Sequence, residues 1–451
     1  MMLAHRLPPC VAFPTNSARV HGLASWLGDF GWRPFILTPE IGSVCGCEGC
    51  SQATSRSDVN YEILHVPVQS RRLERPAEQR HQFAFELREV RRIVTEIVAK
   101  SNSLRRLIKA SVGNLDLLSD WPLAALAAGD SVLKSRQVDA LWTTYRPVSS
   151  LWAGDAIARR NGLPWVADIR DSLEMSWNLA NYKDLAALAR ARRILSRATA
   201  VVEVTPEHAD RDAQWLGRSC KTITSGFDPN QWRHVTPTAD RGETSKLKVV
   251  CAGRLYPGYR TLDPVFAGLR WLRQQDPYAP VRLVYYGRSE NLVRRDAARY
   301  GLDDVVECRG FIPPDELRAH LASADVLLLP TNQAGHSGVP GGKFYEYLAA
   351  RRPILAVPGD DRFVTGVLRE TGAGLAATSP DEIAGVLRRW LEEWGGSGEV
   401  AYTGREDAVN RYSIRESARR LAALLDAAVD GHVPTGRLAH SGRASYPTTI
   451  V

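Results

Sequence analysis

Residues 327–359, LLLPTNQAGHSGVPGGKFYEYLAARRPILAVPG, decide both the fold class and the kind of site it carries. An apolar strand runs into a glycine-rich loop, a short amphipathic helix follows, and a second strand begins at Pro353. Such a loop aims several backbone N–H groups at one point, where the positive end of the helix dipole favours an anion. Lys343 and Glu346 lie in the first turns of that helix. The lysine can reach a phosphate, and the glutamate can accept hydrogen bonds from both hydroxyls of a sugar diol. Phosphate donors beside a diol acceptor are what a nucleotide-sugar site requires. An ordinary strand-to-helix turn would use the same glycines, so the loop alone leaves both readings open.

Two better-known phosphate loops do not fit. The Walker pattern needs glycine where Ser337 stands and Ser or Thr where Phe344 stands. The dinucleotide pattern is nearly met by Gly372-Ala373-Gly374-Leu375-Ala376-Ala377, but that segment follows a helical pattern rather than a strand.

Working outward, 451 residues exceed one compact core and predict two or three domains. Strand-like and helical patterns alternate on both sides of the polar segment Arg233–Lys246, which reads as a linker. Before it, strands are expected at Arg33–Thr38, Ala140–Thr144, Pro164–Ile169 and Ala200–Thr205. After it they are expected at Leu247–Ala252, Val281–Tyr286, Val305–Arg309, Val326–Leu329 and Ile354–Val357. Strands separated by helices mean a parallel sheet covered on both faces. The expected fold is therefore α/β, with two Rossmann-like parallel-sheet domains facing a cleft, 1–232 and 247–404. A closing helix at 405–429 and a disordered tail at 430–451 follow. The opening MMLAHRL is too short and too polar for a central parallel strand.

Apolar content of 44% and charge of 24% suit a soluble globular protein. No apolar run reaches membrane-spanning length and no secretory leader is evident, so a cytoplasmic address is expected. Of the net charge of +8, residues 71–110 supply +6, from eleven Lys or Arg against five Glu. Phe83, Leu87, Val90, Val94 and Ile97 fall there at helical spacing between arginines. A basic amphipathic helix suits an anionic membrane surface or a lipid-phosphate acceptor; a solvated helix over a core stripe is the plain alternative. No nucleic-acid motif accompanies the charge. Cys45, Cys47 and Cys50 have metal-like spacing but no fourth ligand nearby, so no metal is assigned.

Several segments together resemble the GT-B glycosyltransferases, within them the retaining family 4. They are Pro8-Pro9 with Arg19, LASWLGDFGWRPFILT at 23–38, LPWVADIRDS at 163–172, TSGFDPNQW at 224–232, GRLYPGYR at 253–260 and GVPGGKFYEYLAARRPILA at 338–356. The resemblance implies transfer of a sugar from a nucleotide-diphosphate sugar to a saccharide, lipid-linked or secondary-metabolite hydroxyl, with retention and without metal or cofactor. It places the donor in the C-terminal domain and the acceptor mainly in the N-terminal one.

By the same resemblance, Arg254 and Arg260 meet the diphosphate and Glu346 the ribose hydroxyls. Gly310-Phe311-Ile312 resembles the turn whose backbone receives the nucleobase. His336, Ser337, Gly338 and Val339, with Lys343, line the donor loop. Arg19, Arg170 and Asp171 match segments beside the acceptor. Three departures stand out: Gly338 replaces a common glutamate, TTYRPVSS at 143–150 holds no histidine, and the first strand is short. A catalytically inactive GT-B binding protein and a nucleotide-sugar epimerase are the alternative readings. Neither the sugar, the nucleobase nor the oligomeric state is legible.

Overall fold

The computed structural model describes residues 1–4, 14–40, 60–67, 121–145, 148–170, 191–238, 245–332, 340–359 and 361–433. The chain divides into two compact units, one formed by Met1–Ile223 with Arg420–Val451 and the other by Thr224–Arg419. The basic segment 71–110, Cys45, Cys47 and Cys50 lie outside the described residues, as does most of the expected tail.

The first unit holds a seven-stranded sheet of β1 (Met2–Leu3), β2 (Phe35–Pro39), β3 (Glu62–Val66), β4 (Leu141–Thr144), β5 (Trp165–Ile169), β6 (Ala200–Glu203) and β7 (Lys221–Thr222). Their order is β3-β2-β1-β4-β5-β6-β7, every pair parallel. The expectation that the first segment could not be a central strand is corrected here. Met2 pairs with Ile36 on one side and Trp142 on the other, and residues 1–4 are all buried. The strand itself needs only the two apolar residues Met2 and Leu3, both buried, which is compatible with a central place in a parallel sheet. Strands β3 and β7 escape the sequence pattern because β3 is half-exposed and β7 has two residues.

The second unit holds β8 (Leu247–Ala252), β9 (Val281–Tyr286), β10 (Val306–Cys308), β11 (Val326–Pro330), β12 (Ile354–Val357) and β13 (Gly374–Ala376), again all parallel, ordered β10-β9-β8-β11-β12-β13. Side chains alternate across a strand. Leu247, Val249 and Cys251 therefore enter one core with Phe266 and Leu328, while Val250 and Ala252 enter the other with Phe344 and Leu327. Burial on both faces is why these strands are mostly apolar, with Lys248 in β8 and Arg282 in β9 the charged exceptions. The near-dinucleotide segment resolves into a helix stop and an edge strand. Gly372 caps helix Arg362–Thr371 at φ +67°, and a Cβ on Gly374 would fall 2.1 Å from the Ile354 carbonyl oxygen.

The unit boundary falls at Ile223/Thr224, ahead of the expected linker. Residues 224–232 are tied to the second unit. Phe227 N–H donates to Tyr412 O at 3.2 Å and Ile414 N–H to Phe227 O at 2.7 Å, while Ser417 Oγ donates to Thr224 O at 2.9 Å. This seam also breaks the expected closing helix in two, Glu406–Asn410 and Ile414–Val429. Backbone N–H and C=O groups at 412–414 bond to Phe227 instead of continuing a helix.

Candidate active site

In an open parallel sheet, ligands lie beyond the carboxyl ends of the strands where the strand order reverses. In the second unit that point lies between β8 and β11, which pair with each other while their connections run in opposite directions. The chain leaving β8 is Gly253-Arg254; the chain leaving β11 is Thr331-Asn332.

Helix Gly342–Ala350 starts beside these ends, and its sequence explains why it docks there. Phe344, Tyr345, Tyr347 and Leu348 are fully buried, and the Tyr347 hydroxyl accepts from Ala252 N–H at 2.7 Å, pinning the helix to the last residue of β8. Burial raises the Tyr347 phenol well above its ordinary pKa, so it stays neutral in this role. Lys343 and Glu346, three residues apart, share a face and are half-buried. No side chain caps the helix start at Gly341, so its first-turn N–H groups take no bond from a capping side chain.

Arg260 closes the group. Its Nε and Nη2 donate to Asn332 Oδ1 at 3.1 and 2.9 Å, which holds the guanidinium near the helix start. A Cβ built on Gly341 would lie 3.4 Å from Arg260 Nη1, so the absent side chain makes room for the cation. Burial pushes the Arg260 pKa down, opposed by Tyr256, Asp361 and Cys251. Burial likewise lowers the Lys343 ammonium; Glu346 pulls it back up and Arg318 pushes it down. Two half-desolvated cations and a helix dipole therefore converge, a combination that favours an incoming anion. Glu346 makes no hydrogen bond among the described residues, leaving both carboxylate oxygens available as acceptors.

Arg254 is exposed, and its backbone neighbour Gly253 adopts φ +129°, with its Cβ position 3.6 Å from Lys343 Cγ. Residues 256–260 fold into a tight turn in which Tyr256 and Arg260 exchange two backbone hydrogen bonds of 2.8 Å. That turn sets Arg260 facing back toward the helix. Phe311 is exposed and Ile312 half-buried, in the chain that leaves β10. Gly310 O accepts from Gly287 N–H at 2.8 Å, joining this turn to the end of β9.

His336, Ser337, Gly338, Val339 and Asp171 lie outside the described residues. In the first unit Arg19 is buried and bidentate to Asp168, Nε–Oδ2 3.0 Å and Nη2–Oδ1 2.8 Å, and Nη2 also donates to Ile223 O at 3.0 Å. Its charge is thus matched inside the unit, where a pair is retained only if fully hydrogen-bonded. Arg170, also buried, donates from Nε to Tyr145 O at 3.3 Å. Sequence reasoning missed Asn332 and Arg288; each stands two residues past the end of a strand, β11 and β9 respectively, and a polar residue in that position was the available signal. Asp210 and Asp212, an Asp-x-Asp pair, lie within helix Pro206–Leu216, with Asp212 fully buried. Among the described residues no three His, Cys, Asp or Glu cluster to hold a metal, and no helix is long and apolar enough to cross a membrane.

The chain is similar to known proteins in sequence and in fold. Residues 246–393 match the family described as glycosyl transferases group 1. Over 297 residues the chain is 26% identical to the GDP-mannose-dependent alpha-(1-6)-phosphatidylinositol monomannoside mannosyltransferase of Mycolicibacterium smegmatis, covering 62% of this chain and 76% of that one. In fold it is similar to the Anabaena protein Alr3699/HepE solved with UDP, at TM-score 0.60 and 14% identity over 94% of this chain and 99% of that one. It is similar too to an alpha,alpha-trehalose-phosphate synthase (UDP-forming) from Burkholderia vietnamiensis, at TM-score 0.58 and 12% identity over 95% and 99%.

Proposed function

Because this chain is a group 1 glycosyltransferase of the GT-B fold that uses a nucleotide-sugar donor, we propose that it moves a hexose from a nucleotide-diphosphate sugar to a hydroxyl of a saccharide, lipid-linked or secondary-metabolite acceptor. Transfer proceeds with retention and without a metal ion. The carrying observation is the meeting of Arg260, Lys343 and the start of helix Gly342–Ala350, with Glu346 one turn inside. The diphosphate lies against the cations and the N–H groups, and Glu346 takes the two ribose hydroxyls. Arg254 reaches the outer phosphate oxygens from the rim. The resemblance places the nucleobase against the Gly310–Ile312 turn. Arg19 and Arg170, both buried and hydrogen-bonded within the first unit, hold the acceptor side in shape, and the resemblance places Asp171 beside the acceptor.

In the chemical step the acceptor oxygen bonds to the anomeric carbon as the bond from that carbon to phosphate breaks. The bonding pair leaves with the diphosphate, whose oxygen takes the hydroxyl proton from the same face. Negative charge grows on the diphosphate, so cations already in place stabilise the transition state more than the ground state. Mannose from GDP-mannose is the donor best supported, through the mycobacterial relative. A lipid-linked acceptor agrees with that relative's substrate and with the basic surplus of residues 71–110. Sedimentation with anionic vesicles, weakening with salt, would follow from such a surface.

Thermal-shift binding of GDP-mannose, GDP, UDP-glucose and UDP to wild type and Glu346→Ala tests the donor site. A ligand that binds only the native state raises the melting temperature. One nucleotide family should stabilise wild type and fail with the variant. Absence of any shift in folded wild type would refute the reading.

A further inference from the structure

Strand β9 ends at Tyr286 and continues through Gly287, Arg288 and Ser289, a stretch fixed on both sides. Gly287 N–H donates to Gly310 O at 2.8 Å, Leu255 N–H donates to Ser289 Oγ at 3.1 Å, and Ser289 N–H donates to the Tyr285 hydroxyl at 3.2 Å. The backbone at Arg288 is therefore stitched to the phosphate-side loop after β8 and to the Gly310–Ile312 turn. Between those anchors the exposed Arg288 side chain lies over the exposed Phe311 ring, 4.2 Å from guanidinium carbon to centroid.

Neighbouring arginines are committed elsewhere: Arg294 pairs with Glu290 at 2.6 Å, Arg295 with Asp296 at 2.8 Å and Arg309 with Glu307 at 2.5 Å. Arg288 has no ion pair or hydrogen bond among the described residues. A guanidinium held flat on an aromatic face keeps its N–H donors around its rim, in a fixed fork. Its position beside the turn that the proposed function assigns to the nucleobase gives that fork one partner.

We propose that Arg288, braced on Phe311, reads the nucleobase of the donor and selects guanine. Guanine presents O6 and N7 as two acceptors on one edge, spaced for a bidentate guanidinium. Adenine sets an amino donor beside N7, which opposes the fork. Uracil has no such pair of neighbouring acceptors. This inference rests on the donor reading above and gives its preference for a guanosine diphosphate sugar a residue that enforces it.

Calorimetric titration with GDP, ADP, UDP and 7-deaza-GDP, which lacks the N7 acceptor, provides the test. Wild type should bind GDP about 10- to 100-fold more tightly than ADP or UDP, and 7-deaza-GDP about 10-fold more weakly than GDP. Arg288→Ala should lose the preference by weakening GDP while leaving UDP unchanged. Arg288→Lys, which keeps the charge without the fork, should lose it too, and Phe311→Ala should lose part of it. Wild type favouring UDP or ADP, or Arg288→Ala still favouring GDP, would overturn the inference and leave the donor site standing. Glu346→Ala separates the two readings, since it should weaken every nucleotide alike. Failure of wild type to bind any nucleotide would remove both.

Discussion

Lys343 is the residue whose chemistry makes the sharpest prediction. Its partly desolvated ammonium gives up a proton at lower pH than a lysine of the unfolded chain, whose ordinary value is 10.5. Between the two values the unfolded chain binds more protons, so stability rises with pH across that window. Wild type should thus gain stability relative to Lys343→Met as pH climbs toward 10.5, read by denaturant melts of both proteins. Phosphate binding needs the cation, so nucleotide-diphosphate affinity should fall over the same window in wild type but not in the variant. A flat difference in both measurements would show that the ammonium is not desolvated. At this scale the sequence was legible where neighbours are local. Lys343 and Glu346 share a face by helical spacing alone. Arg19 shows the limit: a lone arginine gives no hint that Asp168, 149 positions away, will neutralise it. Asn332 was hidden for the same reason, since it meets Arg260 across 72 positions.

Elements were legible in proportion to their burial. β8, β9 and β12 begin and end where the sequence places them, because both faces are covered and their residues are mostly apolar. β3 and β13 are half-exposed and carry no such run, and the break at residues 411–413 follows from a contact with Phe227 that no local pattern encodes. That contact makes Gly226 demanding. A Cβ there would lie 2.4 Å from Ile414 N and 2.5 Å from Ser413 C, both backbone atoms that cannot swing aside. Gly226→Ala should cost about 1–3 kcal/mol, read as a lower melting temperature. A melting temperature equal to wild type would mean the seam is not tight. A second element depends on its cap. Ser379 Oγ accepts from Glu382 N–H while Glu382 reaches back to Ser379 N–H, starting helix Pro380–Ser397. Ser379→Ala should lower stability by about 1 kcal/mol, and Ser379→Asp should restore most of it.

For the whole molecule, every residue assigned to the donor belongs to the second unit, Thr224–Arg419. Hydrogen exchange with saturating GDP should therefore slow in peptides holding residues 253–260, 286–290 and 341–348. Peptides from β4 and β5 should be unaffected by the nucleotide itself. Protection centred on the first unit instead would place the nucleotide elsewhere. The two-unit α/β plan was legible because alternating strands and helices restart after residue 246. The unit boundary was not, since composition marks a polar stretch while hydrogen bonds to residues 412–417 decide which side residues 224–232 join.

The seam between residues 224–227 and 412–417 also bears on how the protein is made. During synthesis, Phe227 leaves the ribosome long before Tyr412 and Ile414 exist to bond it, so a loop of nearly the whole second unit must close late. The first unit waits longer still, because it includes residues from Arg420 onward, where Asp426 accepts from Trp32 Nε1 at 3.0 Å. Neither unit can finish folding as it emerges, and exposed strand edges must be shielded meanwhile. Stalled nascent chains ending before residue 412 should remain sensitive to protease in both units. Chains extended past residue 429 and clear of the ribosome should become resistant.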